Sequence, residues 1–265
     1  MPSENKADLF ASTANYYSKY RPGYTDRPFE YLAGRFGLDD TGRVLDLGCG
    51  TGEISIPISA YVNEVLAMDP NESMLDEGRK KANNSSRSNI EWRIGSDRDV
   101  SDRLGTFQLV TMGRSFHWMD QKQTLESLLK IIRPGGGVAI FGNREWFTRG
   151  TKNWQREVYS VTTDYLSNLP DRTGPVEYDD PWHKKIAKFG FRDVEELSIY
   201  LNREWTVDEI VGYLFSLSYC SPEKVGDQRE ELEKSVRNRL ANLDQDSFVQ
   251  EDIVTIISGC RPTDN

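Results

Sequence analysis

A chain of 265 residues with 37% hydrophobic and 11% aromatic side chains can bury one sizeable core with a small appended lobe, so a single enzyme or binding domain is expected. Its 42 acidic and 33 basic residues give a formal net charge of −9, a field that opposes nucleic acid and anionic membrane and favours a neutral or cationic small partner. Three widely spaced cysteines, two histidines, a polar opening stretch and no run approaching the ~18 apolar residues of a membrane helix point to a reduced, cytoplasmic protein without a zinc site.

Strand-like and helix-like patterns alternate from about residue 25 to residue 142. The run RVLDLG (Arg43 to Gly48) reads as a buried strand, EISIPISAYV as the helix after it, and EVLAMD (Glu64 to Asp69) as a second buried strand. Pro70 and Asn71 open a helix to about Ala82. NIEWRIG and FQLVTMG supply a third and a fourth strand, separated by the polar piece SDRDVSDRLGT. The helix QKQTLESLLKII is stopped by Arg133, Pro134 and Gly135, and GVAIFG follows as a fifth strand. This alternation predicts an α/β fold, a parallel sheet covered by helices.

Past Asn143 the rhythm changes. WFTRGTKNWQREVYSVTTDYLSNL is patterned as a helix, and PDRTGPVEYDDP is a loop dense in turn formers and acids. FRDVEELSIYLNREWT has strand character, VDEIVGYLFSLSY and GDQREELEKSVRNRLANL are amphipathic helices, and SFVQEDIVTIIS is a last strand. The basic window holding Arg79, Lys80, Lys81, Arg87 and Arg93 reads as a solvated helix end, since cations favour helix C-termini.

The stretch VLDLGCGTGE, with glycines at 48, 50 and 52, carries the most chemistry. A P-loop needs a Lys that is absent here, and a dinucleotide loop needs a third glycine at position 53, where Glu stands. An acid at the start of the helix opposes a pyrophosphate. The loop therefore suits a ligand without phosphate whose positive or zwitterionic group lies near Asp46 and Glu53. Asp69, at the end of the second strand, is placed to accept two ribose hydroxyls, or else to cap the helix that begins at Asn71.

VLDLGCGTG resembles the first motif of the class I S-adenosylmethionine-dependent methyltransferases, in their small-molecule, type 11-like subgroup. The resemblance implies a Rossmann-like, doubly wound seven-stranded sheet of order 3-2-1-4-5-7-6, its last strand antiparallel, with a small helical substrate lobe. The final hairpin would run over Phe191 to Leu201 and Ser247 to Ser258. Implied regions are lid helices over residues 1–40, the cofactor core over 41–142, a substrate lobe over 143–190, and the completed sheet with covering helices over 191–265.

S-adenosylmethionine is the cofactor so implied. Gly48, Gly50 and Gly52 would run beneath its methionyl arm with Asp46 nearby, Asp69 and the adjoining Pro70 would hold the ribose, and Met74 would pack on the adenine. GSDRD resembles the adenine-edge motif and nominates Ser96 and Asp97. ANYYSKYRPGY resembles a lid segment that would lay Tyr16, Tyr20 and Arg21 over the methionyl end, the alternative being a helix packed by its tyrosines. GRSFHWMD would bring Arg114, Ser115, His117 and Trp118 to the reaction mouth. His117 is the candidate base for a hydroxyl nucleophile, or else a ring that seals the pocket.

Acceptor walls are expected from Trp118, Trp146, Trp154, Tyr178, Trp182 and Tyr219. Glu145, Glu177, Asp179 and Asp180 would suit an ammonium-bearing natural product such as an aminosugar. Arg114 or Arg144 would suit a carboxylate acceptor instead, which describes a carboxylate O-methyltransferase. His183 is expected on a surface helix. A dinucleotide-dependent oxidoreductase and a cofactor-binding protein without transfer activity remain as rivals.

Overall fold

In a computed structural model, residues 13–143, 145–172, 182–245 and 247–263 are described. The apolar runs form five strands: β1 (Arg43–Leu47), β2 (Glu64–Asp69), β3 (Ile90–Ile94), β4 (Phe107–Gly113) and β5 (Ile132–Asn143). β1 pairs in parallel with β2 and β4, β2 with β3, and β4 with β5, in registers such as Val44↔Val65, Val44↔Leu109 and Val110↔Val138. Parallel neighbours require crossovers, here supplied by α3 (Ser55–Ile58), α4 (Glu72–Asn84) and α5 (Gln121–Ile131).

Two long strands, β6 (Arg192–Trp205) and β7 (Phe248–Cys260), complete a seven-stranded sheet of order β3-β2-β1-β4-β5-β7-β6. Gly135 N–H donates to the Arg261 carbonyl at 3.1 Å and Arg261 N–H to the Gly136 carbonyl at 2.7 Å, while the Gly259 carbonyl lies against Gly137. The residue numbers run in opposite directions, so β7 is antiparallel to β5 and the sheet is mixed. Strand order reverses between β1 and β4, and in such sheets ligands bind outside the carboxyl ends of the strands at that switch point.

The chain divides into two compact units. A core unit comprises Gly23–Gly142, Tyr178–Ser198 and Val254–Asn265, and a helical unit comprises Met1–Pro22, Asn143–Glu177 and Ile199–Ile253. Leu45, Leu66, Val110, Leu125 and Val138 lie in the buried interior of the first. The second contains α1 (Ala14–Tyr20), α6 (Trp146–Arg149), α7 (Asn153–Thr163), α9 (Val207–Phe215), α10 (Pro222–Val225) and α11 (Arg229–Ala241). Its centre is aromatic: the Trp146 ring lies 4.8 Å from Trp154, 5.0 Å from Tyr213 and 5.9 Å from Trp205. In the core unit, α2 (Arg27–Phe36) precedes β1 and α8 (Trp182–Lys188) carries His183, the surface-helix position expected for it.

Three elements differ from their sequence patterns. The helix expected after the glycine loop shrinks to α3 and a 3-10 turn ending at Tyr61, because Pro57 has no N–H and fits only a first turn. The long helix expected from Trp146 breaks at Gly150, where the Trp146 carbonyl and the Gln155 side chain fill the space a Cβ would take. α7 then restarts with Lys152 N–H bonded to Gln155 Oε1 at 2.9 Å. β5 begins at Ile132, ahead of Pro134, with a register slip opposite Phe107 and Leu109 that absorbs the proline. Among the described residues, no helix is long and apolar enough to cross a membrane.

Candidate active site

The glycine loop is drawn across the end of β2 by two hydrogen bonds, Gly48 N–H and Cys49 N–H to the Met68 carbonyl at 2.8 and 3.1 Å. Gly48 is left-handed (φ 69°), and a Cβ there would sit 2.5 Å from that of Ser115. Gly52 (φ 86°) would press its Cβ to 2.7 Å from the Trp92 ring, which also covers Gly78. The bare backbone is thus required from inside the fold, by Ser115 and Trp92, as well as by any ligand above it. Ser115 adds a hydrogen bond from its Oγ to the Leu47 carbonyl at 2.7 Å, joining the end of β4 to the loop.

Asp69 locks the loop to the start of α4. Its Oδ2 accepts from Gly50 N–H and its Oδ1 from Asn71 N–H, both at 2.9 Å. Burial raises its pKa above the ordinary carboxylate value, against the pull of those two donors. Capping of α4 falls to Asn71, whose side chain accepts from Met74 N–H at 3.2 Å, so Asp69 is released from the cap role. It is half-buried, and each oxygen keeps a lone pair for a hydroxyl donor. A loop bare at Gly48, Gly50 and Gly52 and tied to a part-exposed carboxylate fits a nucleoside with a thin aliphatic arm.

Asp46 departs from its expected place beside a ligand. It is 1% exposed and accepts from Ser55 Oγ at 2.5 Å and Thr111 Oγ1 at 2.9 Å, bracing β1 against β4 and α3. Burial pushes its pKa up to about 6. The folded chain therefore binds this proton more readily than the unfolded chain, and the group favours folding as pH falls from about 6 toward 4. That advantage is lost as pH rises through 6, where the buried charge costs about 3 kcal/mol. Urea titrations at pH 4.5 and 7.5 should show Asp46→Asn narrowing the stability difference between the two; parallel profiles for both chains would contradict the assignment.

Glu53 is likewise engaged inside the protein. Its carboxylate pairs with Lys81 Nζ at 2.7 Å and takes the Thr51 hydroxyl, so it does not await a cationic ligand. Most of the basic window is paired with neighbours: Arg79 meets Glu72 and Asp76, Lys80 meets Glu77, and Arg93 meets Glu91. Ser96 is tied into a capping box with Asp99, while Asp97 accepts Asp120 N–H at 3.1 Å and keeps its second oxygen. Met74 is 3% exposed and fills the interior, the packing role rather than an adenine face. Pro70 is exposed beside Asp69.

At the end of β4, Arg114 adopts φ 55° and its N–H donates to the Phe141 carbonyl at 3.1 Å. A 3-10 turn, Phe116–Trp118, follows. His117 and Trp118 are exposed on it with their rings 5.0 Å apart, Trp118 at 43%. The core unit thus brings together Gly48, Gly50, Asp69, Ser115, His117 and Trp118 around the ends of β1, β2 and β4.

The lid residues take the packing role. Within the helical unit, the Tyr20 ring occupies the space a Cβ on Gly212 would need, and Tyr16 meets Phe215 edge-on at 5.6 Å while its hydroxyl takes Arg229. Arg21 lies over Tyr213 at 4.7 Å and donates to the Tyr213 hydroxyl at 3.3 Å and the Ser216 carbonyl at 3.4 Å. Trp146, at 1% exposure, is core of that unit instead of a pocket wall. Trp182 packs edge-on against Phe116 at 5.7 Å in the core unit. Tyr219 donates to the Glu145 carboxylate, and burial raises its hydroxyl pKa. Arg144, Glu177, Tyr178, Asp179 and Asp180 lie outside the described residues. Tyr24, which closes ANYYSKYRPGY, and Trp92 were the partners that sequence patterning passed over.

Residues 44–136 match a family model described as a methyltransferase domain. An uncharacterised methyltransferase-like protein of Schizosaccharomyces pombe is 26% identical over 86% of this chain and 87% of its own. A protein of Anaeromyxobacter dehalogenans described as a type II methyltransferase shares the fold with a TM-score of 0.60 at 18% identity, over 92% of this chain and all of the other. A phosphoethanolamine N-methyltransferase of Haemonchus contortus, solved with phosphomonomethylethanolamine and S-adenosylhomocysteine, superposes with a TM-score of 0.55 at 14% identity, over 99% of this chain and 62% of its own. Residues 44–136 are a methyltransferase domain, and the chain as a whole is similar to methyltransferases in sequence and shares their fold.

Proposed function

We propose that the chain methylates an oxygen or nitrogen of a small molecule, with a cationic natural product such as an aminosugar as the favoured acceptor class. The observation that carries this reading is the exposed His117–Trp118 pair on the turn after β4, two residues from the serine that clasps the glycine loop. Bound S-adenosylmethionine supplies an electrophilic methyl group on a sulfonium. The residues of the chain mainly align the reactants, a contribution of about 7 to 11 kcal/mol when orientation is good. Asp69 holds the ribose, Trp118 offers a flat apolar face, and His117 takes the proton from an attacking hydroxyl. The net charge of −9 disfavours polyanionic acceptors and favours amines. The Haemonchus contortus neighbour holds phosphomonomethylethanolamine, a small amine that also bears a phosphate, on the same fold.

The chain should be incubated with methyl-labelled S-adenosylmethionine and a small-metabolite extract, with products resolved by mass spectrometry. Label in low-mass amines or alcohols is the expected result. Label confined to protein or nucleic acid, or no transfer at all, would overturn the reading.

A further inference from the structure

Resting on that reading of the donor site, we propose that Tyr24 is a positioning residue that holds the Arg114 guanidinium at the carboxyl end of β4, where it receives the carboxylate of the donor's amino-acid arm. Arg114 is in the left-handed region, a conformation that side-chain-bearing residues avoid and that recurs at functional sites. Its N–H is fixed on the Phe141 carbonyl at 3.1 Å, and the next residue, Ser115, is bonded to the strand that enters the glycine loop. Residue 114 therefore has little freedom, and its guanidinium lies over Tyr24, whose hydroxyl closes on Gly113 at the end of β4.

Tyr24 supplies a surface for the cation. The guanidinium lies 6.0 Å from the centre of its ring, within cation–π reach. That ring is itself seated between Phe141 at 5.0 Å and Phe29 at 6.4 Å, both fully buried. On Gly113, a Cβ would come 2.6 Å from Ile54 and 3.7 Å from the Tyr24 hydroxyl, so Tyr24 and Ile54, the residue just past the glycine loop, close on the same bare backbone.

Charge completes the case. Around the loop stand the carboxylates Asp46, Glu53 and Asp69, and Lys81 is committed to Glu53. An amino-acid arm brings its own carboxylate into this acidic setting, and a planar guanidinium fork matches that group. Arg21, the residue the sequence nominates for the task, is held in the helical unit by Tyr213 and Ser216. Arg114 and Tyr24 both belong to the core unit that carries the loop.

Calorimetric titration with two probes tests the proposal: S-adenosylhomocysteine carries the amino-acid arm, and 5′-methylthioadenosine has the same nucleoside and sulfur without it. Arg114→Gln should weaken the first about tenfold or more and leave the second within about twofold. Arg114→Gly, which tolerates the left-handed backbone, should give the same selective loss with the thermal midpoint held. Tyr24→Leu should show a several-fold loss for S-adenosylhomocysteine alone, and Tyr24→Phe, which keeps the ring, should restore it. Equal losses for both probes, or an Arg114→Gln chain with undiminished S-adenosylhomocysteine affinity and a raised acceptor KM, overturn the carboxylate role. A Tyr24→Leu chain that binds like the wild type overturns the positioning role. Should the unaltered chain bind neither probe, the donor site itself fails, an outcome distinct from a loss of selectivity, and the proposal falls with it.

Discussion

Asp69→Ala is expected to raise the dissociation constant for S-adenosylhomocysteine about a hundredfold or more, the largest binding loss of any single site change in the core unit. A hydrogen bond to a charged group contributes about 1.5 to 3 kcal/mol net, and a ribose offers two hydroxyls to one carboxylate. Two such bonds correspond to two or more factors of ten in affinity. The carboxylate also receives Gly50 N–H and Asn71 N–H at 2.9 Å each, so its removal strips two part-buried donors of their acceptors and loosens the loop. Asp69→Asn separates the two effects. Its amide oxygen can still accept one of the N–H groups, so the fold is better kept while the paired ribose contact is lost. The thermal midpoint should fall more for Ala than for Asn, and calorimetry should show weakened binding in both. A change of less than about threefold in the Asn chain would remove Asp69 from ribose recognition and leave it a brace for the loop.

His117→Ala should lower kcat by about 10²- to 10⁴-fold on a hydroxyl acceptor, the range a well-placed general base supplies. On an amine acceptor the same change should have little effect, because an amine attacks with its own lone pair and releases its proton afterwards. His117 is exposed on the 3-10 turn after β4, so its truncation removes no core packing and leaves stability nearly untouched. Turnover measured on matched alcohol and amine acceptors provides the comparison. Undiminished kcat with the alcohol would assign His117 to sealing the pocket beside Trp118 instead of to proton transfer.

The strands β1, β2, β4 and the later part of β5 were legible because a doubly covered parallel strand is a near-continuous apolar run, and α4 and α5 because each is amphipathic. Asp69 was legible for the same reason, as the first polar residue at the end of such a run. The aromatic residues were not. Trp146, Trp182 and Tyr219 were expected as pocket walls for their flat apolar rings, yet an aromatic residue in such a segment looks the same whether it faces a ligand or the interior. Only the packing of α6 against α7, α9 and the end of β6 put Trp146 among Trp154, Tyr213 and Trp205 and out of reach of solvent.

Acids and cations divide along the same line. Asp46 and Glu53 lie within eight residues of each other on the glycine motif, and a motif carries no information on which oxygen meets which donor. Ser55, Thr111 and Lys81 claimed them through contacts made across the fold, and the carboxylate left at the rim was Asp69. Sequence alone thus determined the run of strands and the glycine loop, because local periodicity and backbone freedom are written residue by residue, while the strand order and the donor class were what the resemblance of VLDLGCGTG implied. Tertiary structure decided which polar groups are spent inside the fold and which stay at its rim, since burial and hydrogen-bond partnership depend on residues far apart in the chain, as with Gly48 against Ser115 and Arg114 over Tyr24.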